Sequence, residues 1–462
     1  MSLVMGKAFV AGAVAIVVLA ASLLGILTRP VGFLAAFWPA NAILLGLMVR
    51  YPRFSTVSGW TGAAVGYLAA DLLTGGDLGL TAWLTAANLV GAMTGVLLFG
   101  RMREDDRRLK RPQSVLFLFA VCVAAAAVAA VAGGGAARIV FGRNFLEGLE
   151  FWFVTELVNN LVVLPPILTF PGWKAVAREL SWTRESRTTL LHKAAPLVAL
   201  ILSALAGVLV GGPGALAFPV PALLWCAVSY SVFATAVLTM GMCAWLLVAV
   251  SAGAVQLAVA DDLFSASTSV RLGVALLALG PLTVASINSA RTELLARLAY
   301  TASYDSLTGV LTRQAFLALG NQLVASSQSS PVAVMMLDVD HFKKVNDQFG
   351  HASGDKVLVE FSRTVGDCLR PADLLGRAGG EEFAVVMPGT GLASAERIAE
   401  RIRKAVEGTI IAGSGDHAHA VTVSIGVSSA ENGASVTLDR LLSLADVHLY
   451  RAKAQGRNRI AA

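Results

Sequence analysis

Residues 377–389 spell RAGGEEFAVVMPG: two adjacent glycines, then two adjacent glutamates, Glu381 and Glu382, set between short apolar runs. A Gly-Gly pair at a hairpin admits positive φ and lets a bulky anion approach the backbone, and it aims Glu381 toward whichever strand lies alongside. PVAVMMLDVDHF (331–342) supplies that strand, an apolar run ending in Asp338, and carboxylates at the C-terminal ends of strands are where α/β active sites are built. Two carboxylates with no His or Cys nearby suit a hard, oxygen-seeking cation such as the magnesium that accompanies nucleotide phosphates. Lys453 and Arg457 in YRAKAQGRNR are four apart, so on a helix and its end they share a face and can hold phosphate oxygens. Singly, each feature is also explained by a surface hairpin or a solvated helix face; their combination in one small domain is what points to chemistry.

The elements that must position these groups follow from periodicity. After the strand ending at Asp338 comes NDQFGHASGDKVLVEFSRTVGDCLR (346–370), a Gly-containing loop and then apolar residues at helical spacing from Val357. A short strand near 373–377, the glycine turn, the strand FAVVMP, a helix near 392–407, a strand at 420–429 and a last helix near 438–454 complete an alternating α/β domain with antiparallel pairing at the turn. Upstream, 287–316 begins as a helix carrying Leu294, Leu295 and Leu298, a coupling rod whose apolar seam is too short to establish a coiled coil. His417 and His419 fall in an expected loop and are read as solvated, not as a metal pair.

The first half is of another kind. The 462 residues are 56% hydrophobic and only 14% charged, too apolar for a soluble enzyme and too long for one domain. Crossing the hydrocarbon takes roughly 20 apolar residues, and about ten candidate spans meet that test: near 9–28, 32–50, 56–74, 78–100, 114–133, 148–170, 194–211, 216–238, 241–260 and 271–290. The first has no convincing cleavage site after it and is read as a retained helix. The net charge of +6 does not indicate nucleic acid, because the basic residues cluster between apolar runs. RMREDDRRLKR (101–111), KAVARELSWTRESRTTLLHK (174–193) and the turn at Arg50 and Arg53 share one side if the spans alternate, and that side is cytoplasmic. TGGDLG, GGPGA and ADDLFSAS on the other side are nearly free of Lys and Arg, with Arg138 and Arg143 as exceptions. An even number of spans puts both termini in the cytoplasm. Cys122, Cys226, Cys243 and Cys368 have neither metal nor disulfide spacing.

Charges at membrane depth are costly and are usually paired or face a cavity; Asp71 and Glu156 are the two candidates, each equally well explained by an interfacial position or one structural hydrogen bond. In FWPANAILLG (37–46) a Pro frees a backbone carbonyl that the Asn can bond. With WFVTELVNNLVVLPPILTF (152–170), this segment resembles the MASE-type membrane-associated sensor domains of bacterial signalling proteins, over residues 9–290.

Residues 300–460 resemble the GGDEF family of diguanylate cyclases through YDSLTGVLTRQAF, LDVDHFKKVNDQFGHASGDKVL, RPADLLGRAGGEEF, VTVSIGV and ADVHLYRAKAQGRNR, in family order and spacing. The resemblance implies a mixed sheet flanked by helices, like that of nucleotidyl cyclases, behind a polytopic α-helical membrane domain. By it, Asp338, Glu381 and the carbonyl of Val339 bind Mg2+, with Mn2+ as the alternative; Glu381 also serves as base on a ribose 3′-hydroxyl, and Glu382 is a second acidic partner. Asn346 and Asp355 read guanine, His351 lies near the nucleotide, the backbone at Phe342 and Lys343 supports the phosphates, and Lys453 with Arg457 clamps the triphosphate. GTP is then the substrate, cyclic di-GMP the product, and a homodimer the working unit, since one domain holds only half the reactants. Arg370 and Asp373 of RPAD match the family's product-inhibition site; an ordinary Arg-Asp pair is the alternative. Glu381 replaces the Asp of the family's name, and Thr312 stands where Asn is usual, which touches only a local turn contact.

The expected organisation is a membrane sensor domain over 1–290, a coupling helix over 291–304 and a GGDEF domain over 305–462, in a bacterial inner membrane with the catalytic domain in the cytoplasm. The competing readings are a catalytically silent nucleotide receptor, which the intact set of site residues opposes, and a transporter with a regulatory GGDEF domain. The sensed ligand is not legible.

Overall fold

The computed structural model describes residues 2–28, 37–142, 144–180, 187–255, 263–327, 329–408, 410–412, 418–431 and 436–462. The chain divides into two units, Met1–Glu293 and Leu294–Ala462.

The described residues of the first unit form helices: α1 (Ser2–Leu27), α2 (Ala40–Arg50), α3 (Val57–Leu73), α4 (Leu78–Gly100), α5 (Glu104–Arg107), α6 (Ser114–Gly133), α7 (Ala136–Phe141), α8 (Phe145–Thr169), α9 (Trp173–Leu180), α10 (Arg187–Val210), α11 (Pro219–Ser229), α12 (Val232–Ser251) and the start of α13 (Leu263–Ser303). Among the described residues seven helices are long and apolar enough to cross a membrane: α1, α4, α6, α8, α10, α12 and α13; the shorter apolar α2 and the stretch around α11 join them. Packing of α1 on α3, α4 on α6 and α8 on α6, α2 and α12 builds the interior, with Leu44, Leu118, Leu161 and Leu223 wholly buried.

Boundaries differ from the hydropathy reading where a polar cap interrupts an apolar run. The stretch read as one span over 216–238 breaks at Tyr230, and α12 starts behind Ser231, whose hydroxyl accepts from Ala234 N–H; a serine cap satisfies an otherwise orphaned helix donor. In the 32–50 segment α2 begins at Ala40, and residues 29–36 lie outside the described residues, as do the last residues of the 241–260 stretch. Pro39 is the N-cap of α2, where proline frees no carbonyl. Asn41 therefore does not repair the backbone but bonds across helices: Nδ2 donates to Glu156 Oε1 at 2.5 Å and to Asn88 Oδ1 at 2.9 Å, while Oδ1 accepts from Tyr67 at 2.6 Å. Glu156 is thus buried mid-helix among polar partners, and Asp71 sits in the last turn of α3.

The second unit contains the end of α13, then β1 (Leu311–Thr312), α14 (Arg313–Ser326), β2 (Val332–Val339), α15 (Phe342–Phe349), α16 (His351–Asp367), β3 (Leu374–Gly379), β4 (Glu382–Pro388), α17 (Leu392–Glu407), β5 (Ile410–Ala412), β6 (Ala418–Ala420), β7 (Val423–Ala430), α18 (Leu438–Ala454) and β8 (Ile460–Ala461). Six strands form one sheet in the order β1-β3-β4-β2-β7-β8. Central β2 is antiparallel to both β4 and β7, while the outer pairs β1–β3 and β7–β8 are parallel. All eight residues of β2 are buried, because helices cover both faces, which also explains its unbroken apolar run. Met335, Leu337, Phe361, Phe383 and Ile402 fill one face; Val334, Met336, Phe316, Leu438 and Leu449 fill the other. Each such side chain contributes about 1.5–3 kcal/mol. Thr312 caps α14, and its hydroxyl also donates to Ala302 O at 2.8 Å. His419 lies in β6, paired opposite Ile411, and not in a loop as the sequence suggested; residues 413–417, with His417, fall outside the described residues.

Candidate active site

The β2–β4 pair brings the acidic residues together. Asp338 stands directly opposite Glu382, and Val339 N–H donates to Glu381 O at 3.3 Å. The turn is made by a register irregularity between Arg377 and Gly379 and by a positive φ of 39° at Gly380, a conformation that disfavours any side chain. Asp338 is almost wholly buried, and Lys453 on α18 places Nζ 2.7 Å from Oδ2. Burial raises the proton affinity of Asp338 against the pull of Lys453. Burial does the same to Glu381, and the Asp338 charge adds to it. Carboxylates crowded until they resist ionisation, offering oxygen donors only, are an electrostatic fit to a divalent cation.

Lys453 and Arg457 arrive on this site by different means. Lys453 belongs to α18, while Arg457 lies past its end in Gly456-Arg457-Asn458, three consecutive residues with φ of 117°, 63° and 47°. Left-handed backbone costs a non-glycine residue about 1–2 kcal/mol, so something must hold it. Asp340 does so: its buried carboxylate accepts from Asn458 N–H at 3.0 Å, Thr422 Oγ1 at 2.7 Å and Ser424 Oγ at 2.6 Å. The Asn458 side chain is gripped from α17, accepting from Arg403 Nη1 at 2.9 Å and donating to Glu407 Oε1 at 2.8 Å. Asp340 was not singled out from sequence, and neither was Arg377, whose guanidinium donates twice to Gly380 O, at 2.9 and 2.7 Å, and lies 3.1 Å from Asp305 Oδ1. Burial works against the ionised Asp305, but bonds from Thr308 and the Arg377 charge hold its carboxyl below the usual range. The one signal available was position: Asp340 follows Val339 at the strand end, and Arg377 precedes the glycine turn.

Asn346 lies on α15 and Asp355 on α16, and Gly350, with φ of 78°, separates the two helices. They are brought close at Gly354, where a Cβ would fall 2.0 Å from Asn346 Oδ1 and 3.1 Å from the Phe342 ring. Asp355, His351 and Lys343 are exposed and Phe342 is buried. Arg370 and Asp373 lie apart from this end, before β3, where Asp373 Oδ2 accepts the Arg370 backbone N–H at 2.8 Å. The backbone of Arg370, and not its guanidinium, is what Asp373 holds there.

Known proteins resemble the chain over both units. The family described as diguanylate cyclase, GGDEF domain, matches residues 302–459, and the MASE1 family matches 9–292. A probable diguanylate cyclase, DgcF, from Escherichia coli O157:H7 is 32% identical over 93% of this chain and 90% of its own. The response regulator PleD from Caulobacter vibrioides is 46% identical over 34% of this chain and 35% of its own. The GGDEF domain of DgcB from Caulobacter crescentus, solved in complex with c-di-GMP, matches at 31% identity and a TM-score of 0.34, over 35% of this chain and 93% of that one.

Proposed function

Because this chain belongs to the GGDEF diguanylate cyclases, of the membrane-associated kind that carries a MASE1 domain, we propose that it condenses two GTP molecules into cyclic di-GMP with release of two pyrophosphates. One observation supports this above the others: Asp338, the Glu381–Glu382 turn and Lys453 converge at one end of the β2–β4 pair. Asp338, Glu381 and the Val339 carbonyl would hold Mg2+, or Mn2+ in its place, which when bound neutralises charge on the phosphoryl oxygens. Lys453 and Arg457 grip the triphosphate. Glu381, its proton affinity raised by burial, takes the proton from the 3′-hydroxyl that attacks the α-phosphorus of the other nucleotide. Glu382 adds negative charge beside Asp338. Asn346 and Asp355 address the guanine edge with His351 nearby, and the backbone at Phe342 and Lys343 meets the phosphates.

Two chains must face each other for this reaction, since each supplies one GTP. The exposed Leu294, Leu295 and Leu298 on the last part of α13 suit pairing of two such helices. Arg370 and Asp373 form a product site for feedback, the basic loops face the cytoplasm with both termini, and the helical unit regulates the enzyme. Purified protein incubated with GTP and Mg2+ should yield cyclic di-GMP by chromatography; no product with GTP, or equal turnover of ATP, would overturn the assignment.

A further inference from the structure

The loop between α4 and α6 is folded and anchored, not a solvated string of charges. Leu109 is wholly buried with φ of 54°. Ser286 of α13 donates to the carbonyls of Leu109 at 2.9 Å and Arg111 at 2.7 Å. Buried Asp106 accepts from Ser114 Oγ at 3.0 Å. A loop pinned this way presents its side chains in one arrangement.

Beside it opens a cavity of about 250 Å³ lined by Arg50, Arg107, Arg108 and Glu104, with Pro52 and Leu168 as its apolar wall. Two of its arginines have assigned partners: Arg108 bonds Glu104 at 2.5 Å, and Arg50 Nη2 donates to Phe170 O at 2.7 Å. Arg107 differs. Its Nε is shut off from solvent and meets no acceptor among the described residues, and a buried donor left unpaired is costly. Three guanidinium groups against one carboxylate leave two positive charges in excess around this space. A topological bias toward basic loops explains why such residues are here; it does not explain their convergence on one concavity.

We propose that this cavity binds a phosphate-bearing anion, held by the guanidinium groups of Arg50, Arg107 and Arg108 that line it. Planar, weakly hydrated guanidinium groups pair bidentately with phosphate oxygens. A lipid headgroup and a free phosphate ester share that chemistry, and basic groups at a membrane surface attract anionic lipid.

Amide hydrogen exchange over residues 104–111 of the full chain tests this in three settings: phosphatidylcholine nanodiscs, nanodiscs also containing phosphatidylglycerol, and phosphatidylcholine nanodiscs with soluble glycerol phosphate. A ligand at tenfold its Kd slows local opening about tenfold. Slowing with phosphatidylglycerol alone assigns a lipid headgroup; slowing with glycerol phosphate as well assigns a free phosphate ester. Either effect should disappear in Arg107→Gln and persist in Lys110→Gln, which removes an exposed charge of the same loop. Should Arg107→Gln unfold the loop, Arg108→Gln replaces it, with the same loss expected. No slowing in any setting, or equal weakening by Lys110→Gln, would overturn the proposal.

Discussion

Replacing Glu381 by Gln should make the protein more stable and silence it at once. Asp338 faces Glu382 directly across the β2–β4 pair, and the turn sets Glu381 beside them. Like charges opposed on a sheet cost about 0.2–1 kcal/mol. Without divalent cations, removing one carboxylate should recover about 0.2–1 kcal/mol, or roughly 0.5–4 °C in midpoint for a unit of this size. The pH dependence has a definite sign. Burial and the Asp338 charge raise the proton affinity of Glu381 in the folded state, so the parent's advantage from protonation is present on the acid side and is lost as pH rises through the raised folded value. Gln does not ionise, so the gap in favour of the variant should open as pH rises. Magnesium should then stabilise the parent more than the variant. Calorimetry on the full chain in chelator and in magnesium, across pH, measures all three, and cyclic di-GMP synthesis should fall by about two to three orders of magnitude, some 3–4 kcal/mol of barrier. A variant less stable than the parent at every pH would refute the crowded-carboxylate argument, and parental synthesis would refute the metal site.

Arg370→Ala should leave the initial rate intact and weaken product inhibition by roughly one to two orders of magnitude, as loss of a bidentate guanine contact costs about 1–3 kcal/mol; progress curves bending at the parental product concentration would count against it. Gly354→Ala should raise the KM for GTP and lower stability by about 1–3 kcal/mol, because its Cβ would meet Asn346 Oδ1 at 2.0 Å; an unchanged KM would separate Asn346 from the nucleotide. Arg377→Lys should lower kcat through a loosened turn, since one ammonium cannot both hold Gly380 O and pair with Asp305 as the fork does; kcat equal to the parent's would assign the fork to stability alone. Cysteines placed within 101–111 and 174–193 should resist a membrane-impermeant label added outside intact cells, and labelling would invert the topology.

Local signals carried the catalytic half well. The run ending at Asp338, the glycine turn and the amphipathic patterns of α17 and α18 each name their own element, since strand and helix periods and turn glycines act within a few residues. Asp340 escaped notice because its partners, Thr422, Ser424 and Asn458, lie just before β7, within it and beyond α18, and a carboxylate that stabilises backbone has no spacing rule. Glu156 was legible as a costly charge but not as the partner of Asn41, and so by extension of Asn88 and Tyr67, because helix packing decides which polar groups meet. The break at Tyr230 was missed because a single serine cap is a weak signal inside an apolar stretch.

The two residues of β8 have a consequence for self-association. They pair with Ile425 and Gly426 of β7, and Arg459 O accepts Ile425 N–H at 3.0 Å, so this short strand shields part of an apolar sheet edge that would otherwise invite pairing with other chains. Substitutions that unpair Ile460 and Ala461 would uncover β7 and loosen the neighbouring backbone at Asn458 that fixes Arg457. Loss of synthesis and the onset of clumping would then share one lesion.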